Sequence, residues 1–215
     1  MSVLLKRFLV LVLLWPMALF AAEGQVWEAG KHYEVLKYPV RVEQPGKIEV
    51  AEVFWYGCPH CRSFKPMIEA WEKGLADDVN FLYMPAALGR SWEIHARAFY
   101  TAEALGVFDK THDALFEALA KNPHGLANED QLAAFFVEQG VEEAQFRKAF
   151  KSFGVNARLE QAQSKIRGAM LTGVPALLIN GKYKTSASMA GSLENVLKVA
   201  DFLIEQERKA ATAQN

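Results

Sequence analysis

The sequence predicts an α/β protein in which a sheet-bearing domain is interrupted by an inserted all-helical domain. Three observations carry this. Segments rich in β-branched and aromatic residues lie toward both ends, at 47–56 and 79–84 and again at 176–185. Between the two groups, residues 91–170 hold consecutive helical signals, each with its own start and stop residues. A long amphipathic stretch, 193–210, closes the chain before a polar tail.

At the start, Lys6 and Arg7 precede an uncharged apolar run from Phe8 to Phe20 that ends at Ala21 and Ala22. This is the layout of a secretory signal peptide. The run contains Pro16 and falls short of the roughly 20 apolar residues a spanning helix needs, so residues 1–22 are expected to be cleaved on export. Leu19 or Phe20, three residues before the two possible cuts, fits the small-residue preference poorly and leaves the cleavage point open.

The first strand, Lys47 to Tyr56, is punctuated by Gly57. A helix follows from Cys58 to about Lys73, with Pro59 acceptable in its first turn and Gly74 at its end. Pro66 lacks an N–H and is expected to kink it. Val79 to Met84 is the next strand. In the helical block, Ser91 is expected to cap a helix to Leu105, closed by Gly106. Thr111 to Lys121 stops at Asn122-Pro123, and Asn128 with Gln131 forms a capping box for a helix ending at Gly140. Glu142 to Phe153 precedes Gly154. Val155, Leu159, Ala162, Ile166 and Ala169 then recur on one helical face. Asn180-Gly181 between two apolar runs predicts a hairpin.

Removal of the leader leaves about 190 residues, enough for one good core or two small lobes. The net charge of −1 and the lack of a long basic run exclude nucleic-acid binding by phosphate neutralisation. Partners should be met mainly through apolar surface.

Cys58 and Cys61 are the only cysteines. In the oxidising compartment that export implies, an even count suggests a disulfide. Zinc would need four ligands, and neither a second cysteine pair nor ligand spacing among the other histidines exists, so no metal site is expected. A structural staple is equally unpersuasive, because closing a ring of about four residues is worth only ~2 kcal/mol before strain. Redox exchange fits best. A thiolate at the start of a helix faces unpaired N–H groups and a positive dipole end, His60 adds a donor or a charge, and Cys61 lies one turn on. Such exchange uses no cofactor.

The stretches "FWYGCPHC" and "TGVPALLINGKY" resemble the DsbA-type periplasmic disulfide oxidoreductases, and the likeness covers nearly all of the mature chain. It implies a thioredoxin-like domain in two parts, 23–88 and 168–215, around a helical insertion at 89–167. It also implies that Cys58 is an exposed thiol of low pKa, that Cys61 is its buried partner, with Pro59 and His60 between them, and that Val174-Pro175 is a cis-proline loop facing the disulfide and contacting substrate. For DsbA itself, a general example of such a shift, the first thiol has a pKa of about 3.5. A family value of that size would favour the dithiol by about 5 kcal/mol at pH 7, more than the ring closure opposes.

Glu52 is the further site residue implied. By the period of two it shares a strand face with Ile48, Val50 and Phe54, six residues before Cys58. If buried it would exchange a proton with Cys61; a solvated sheet edge is the other reading. Trp55, Tyr56 and Phe64 read as core rather than substrate contacts. The resemblance implies a monomer that oxidises reduced, unfolded exported proteins and is re-oxidised by a DsbB-like, quinone-linked membrane oxidase. A disulfide isomerase or reductase, or a non-redox chaperone on the same fold, is the alternative.

Overall fold

The computed structural model describes residues 26–213; the expected signal peptide lies outside them. Two strand-forming regions, far apart in sequence, meet in one sheet. Strand β1 (Glu34–Val35) is short, β2 (Ile48–Phe54) carries the run IEVAEVF, and helix α1 (Pro59–Glu72) leads to β3 (Val79–Pro85). Helices α2 (Arg90–Leu105), α3 (Phe108–Lys121), α4 (Glu129–Glu138), α5 (Glu143–Phe150) and α6 (Phe153–Gly168) follow. The chain then returns through β4 (Ala176–Ile179) and β5 (Tyr183–Ser186) to α7 (Ala187–Ala190) and α8 (Leu193–Thr212).

The sheet order is β1-β5-β4-β2-β3. Strand β2 is an interior strand, parallel to β3 and antiparallel to β4, with Glu52 opposite Tyr83 on one side and Leu177 on the other. Six of its seven residues are buried, as a strand covered on both faces requires. Val50, Leu177 and Ile179 pack with Phe64 and Ile68 of α1 and with Val199 and Leu203 of α8. Ala51, Val53 and Leu178 point the other way, into a core shared with Phe99, Phe116, Phe136 and Phe146 of the inserted helices. Burying one Phe or Leu side chain contributes about 1.5–3 kcal/mol, so this shared core fastens the helical block to the sheet.

Several predicted boundaries move. Helix α2 begins at Arg90 behind Gly89, with no side-chain cap, rather than at Ser91. Helix α3 begins at Phe108, three residues before Thr111, whose hydroxyl bonds back to the Val107 carbonyl instead. The segment expected to run from Glu142 to Phe153 is broken, because Ser152 accepts the Val155 N–H and starts α6. Gly154 therefore lies in a first helical turn and is not a stop. Asn128 caps Gln131 as expected, but the Gln131 side chain returns to the Ala127 N–H, one residue further back than a capping box requires. Helix α1 runs through Pro66 as a single element.

The hairpin stands. Asn180 and Gly181 have φ of +48° and +62°, the left-handed pair an Asn-Gly turn uses. A Cβ at position 181 would collide with the Val40 carbonyl, so glycine is also demanded by packing. The predicted helical face is fully realised: Val155, Leu159, Ala162, Ile166 and Ala169 are all buried. No helix among the described residues is long and apolar enough to cross a membrane.

Candidate active site

The site begins where β2 ends. After Phe54 the chain makes a turn in which the Cys58 N–H donates to the Trp55 carbonyl at 3.0 Å, and Cys58 becomes the N-cap of α1. Pro59 occupies the first helical position, where no N–H is needed. The Cys61 N–H donates to Cys58 Sγ at 3.4 Å, a sulfur acting as the capping acceptor. Both thiols are free, so the structure depicts the dithiol form.

Across from this turn lies Val174-Pro175, joined by a cis peptide bond. The Cys58 thiol faces the Val174 carbonyl oxygen at 3.7 Å. His60 is exposed and, with Met170, Gly173, Val174, Pro175 and Met189, lines a groove of about 520 Å³. A smaller cleft of about 140 Å³ flanks Cys58 on the other side, between Tyr56, Arg62 and the α3 residues Phe116 and Leu119.

Cys58 is less open than the resemblance implies. It is 8% exposed against 0% for Cys61, because the cis-proline loop and the Tyr56 side press on it from both sides. The remaining opening is narrow and lies on the smaller cleft, which Cys58 itself lines. The asymmetry itself is pronounced. The Cys58 pKa is lowered to about 6, first by a hydrogen bond from the Cys61 thiol, then, against its burial, by the backbone N–H groups of Cys61 and His60 and by the His60 charge. The helix start thus acts behind the neighbouring thiol, and His60 is the smallest contributor. Burial pushes the Cys61 thiol far up, and hydrogen bonding to Cys58 pushes it further.

Glu52 is buried, 3% exposed, which settles its position against a solvated edge. Burial raises its pKa to about 8, the charge of Glu69 adds to this, Lys65 opposes it, and Glu72 adds again. Glu52 in turn helps to raise Cys61. Of the residues expected to share its face, Ile48 and Val50 lie with the α1/α8 core, whereas Phe54, the last residue of the strand, lies in the core toward the insertion. Tyr56 and Phe64 are core residues, 2% and 0% exposed.

Three residues around the site carried no readable signal in the sequence. Lys65 on α1 pairs with Glu69 at 2.5 Å and with Asp113 of α3. His95 of α2 accepts the Trp55 Nε1–H at 3.0 Å, and His112 of α3 bonds the Tyr56 hydroxyl at 2.9 Å. Their sequence spacing to the cysteines follows no period, since only folding of the insertion brings them near.

A thioredoxin-type sheet with a dithiol at a helix start, facing a cis-proline loop and capped by an inserted helical block, defines a thiol:disulfide exchange protein. A family model described as the DSBA-like thioredoxin domain matches residues 76–199, spanning the insertion and the proline loop. The chain is 43% identical over 208 residues to the thiol:disulfide interchange protein DsbA of Pseudomonas aeruginosa, covering 95% of this chain and 99% of that one. It is 46% identical over 181 residues to DsbA of Azotobacter vinelandii, covering 84% and 85%. The crystal structure of Pseudomonas aeruginosa DsbA superposes with a TM-score of 0.83 at 44% identity over 86% of this chain and 97% of that chain. The oxidoreductase DsbA from Xylella fastidiosa gives 0.80 at 32% identity over 86% and 100%. The chain belongs to the DsbA family.

Proposed function

We propose that this protein is a periplasmic thiol:disulfide oxidase that introduces disulfide bonds into reduced, unfolded exported proteins through Cys58 and Cys61. The observation that carries the reading is the unequal pair: a thiol held near pKa 6 at a helix start beside a buried thiol driven far up.

In the forward cycle a substrate thiolate attacks Cys58 Sγ of the Cys58–Cys61 disulfide. The Cys58–Cys61 bond breaks, the electron pair leaves on Cys61, and a substrate–Cys58 mixed disulfide forms. Cys61 must then take a proton. Glu52, with a pKa near 8, is mostly protonated at pH 7 and is the proposed donor. A second substrate thiolate attacks the substrate sulfur, Cys58 departs as a stabilised thiolate, and two electrons remain on the dithiol. Val174 and Pro175 would hold the substrate backbone across the groove, where proline supplies no N–H to compete.

Magnitudes support an exchangeable bond. A Cys58 pKa of about 6 favours the dithiol by about 1.4 kcal/mol at pH 7. Closing so short a ring favours the bridge by ~2 kcal/mol before strain. The two nearly cancel, unlike a structural disulfide.

The proposal includes export with loss of residues 1–22, action as a monomer, and re-oxidation by a DsbB-like, quinone-linked membrane oxidase. Equilibrating the protein with glutathione redox mixtures tests the oxidase direction. A reduction potential at or below that of thioredoxin, about −270 mV, would reassign it to reduction.

A further inference from the structure

The two residues that open the turn into Cys58 are each held at the tip by a histidine of the inserted helices. Trp55 Nε1–H donates to His95 Nδ1 of α2, and the Tyr56 hydroxyl bonds His112 Nδ1 of α3. Both histidines are buried, 1% and 5% exposed. Tryptophan can only donate, so His95 Nδ1 carries no proton and the ring is neutral, with its hydrogen on Nε2. His112 sits in an aromatic cage, with Phe108 at 4.6 Å, Tyr83 at 5.0 Å, Phe116 at 5.3 Å and Phe54 at 5.5 Å between ring centroids. Burial pulls its pKa to about 3 and also lowers that of His95. A neutral imidazole is an acceptor that such surroundings tolerate, whereas a carboxylate would have to be desolvated.

The grip reaches the reacting sulfur by a short path. Trp55 stacks flat on Trp92 of α2, 4.4 Å and 5° apart, and its indole covers Gly57 so closely that any Cβ there would run into the ring. The Trp55 carbonyl accepts the Cys58 N–H. Trp55 packs against α2 and Tyr56 against α3, Gly57 lies under the Trp55 ring, and Cys58 is the next residue. The low pKa of Cys58 depends on contacts with the Cys61 thiol and the helix-start N–H groups, which weaken steeply with small displacements.

We infer that His95 and His112 are positioning residues: through Trp55 and Tyr56, the inserted helices hold the catalytic turn so that Cys58 Sγ stays on the N-terminal axis of α1. The insertion is then half of the scaffold of the redox site as well as a cover over it. This rests on Cys58 being the exchanging thiol, but not on the direction of exchange.

The test uses the mature protein in its reduced form. Tyr56→Phe removes one hydroxyl and keeps the ring against Phe54 and Phe116; His112→Phe removes the imidazole partner. Each should raise the Cys58 thiolate midpoint, read by ultraviolet absorbance against pH, by about half a unit, a roughly threefold weaker acid. The double variant should shift it no further than one single variant, because both delete the same bond. His95→Gln, which can still accept from Trp55 Nε1, should keep the native midpoint, whereas His95→Leu should raise it. Unfolding temperature is followed in parallel. Lowered unfolding temperatures with an unchanged midpoint in Tyr56→Phe, His112→Phe and His95→Leu would make the histidines structural only and overturn the inference. Should any His variant fail to fold, Tyr56→Phe and Trp55→Phe carry the same test. The comparison is between variants of the reduced protein with no substrate present, so it can succeed or fail whichever direction of exchange the glutathione measurement assigns.

Discussion

Cys58 Sγ lies 3.7 Å from the carbonyl oxygen of Val174, a residue 116 positions further along the chain. That contact joins the two separated parts of the sheet domain at the reacting atom. It also leaves the thiol facing an acceptor on one side and two backbone donors on the other.

The reduced protein should show thiolate absorbance titrating near pH 6, assigned to Cys58 by its loss in Cys58→Ser. Cys61→Ser should accumulate a mixed disulfide with substrate, since no internal thiol remains to displace it. A midpoint at the ordinary value near 8.5 would contradict the proposed asymmetry.

His60 is exposed, and its charge is the last of the influences on Cys58. His60→Ala should therefore raise the midpoint by less than about half a unit and make the pair slightly less oxidising. A shift beyond one unit would promote His60 above the Cys61 thiol.

Glu52 has a folded pKa near 8, above its unfolded value of 4.5. Between these values the folded state binds the extra proton, so Glu52 lowers stability as pH rises from 4.5 to 8. Glu52→Gln should be more stable than the parent at pH 7.5, by at most about 4 kcal/mol, and nearly equal to it at pH 4.5. Urea unfolding of the oxidised forms at both pH values measures this without Cys58 titrating. The same variant should slow release of Cys61 from the oxidised protein, as the proton donor is lost.

Met170 is 61% exposed at the rim of the groove beside the cis-proline loop, held in left-handed backbone (φ +49°). Met170→Glu places a charge where an apolar peptide segment would lie. KM for a peptide dithiol should rise severalfold with kcat little changed; an unaffected KM would place substrate elsewhere.

Much of the fold was legible because its signals are local. The β-branched run of β2, the Asn-Gly hairpin and the spacing of Val155, Leu159, Ala162 and Ile166 each state their own structure. Starts of helices were read less well. Ser91 looks like a cap and Thr111 like a helix start, yet Gly89 and Val107 are the caps, because packing of Trp92 and Phe108 into the core extends each helix backwards. Strand β1 and helix α7, two and four residues long, are too short to show any period.

The sequence by itself determined the chemistry available: two thiols one turn apart at a helix start, a proline loop far downstream, and a carboxylate on the strand leading in. Tertiary structure alone decided how unequal the thiols are, that Glu52 is buried and protonated near neutrality, and that histidines from α2 and α3 reach Trp55 and Tyr56. The reason is physical. Spacing along a helix is set by local geometry, whereas desolvation and long-range hydrogen bonds depend on which distant elements close around a group.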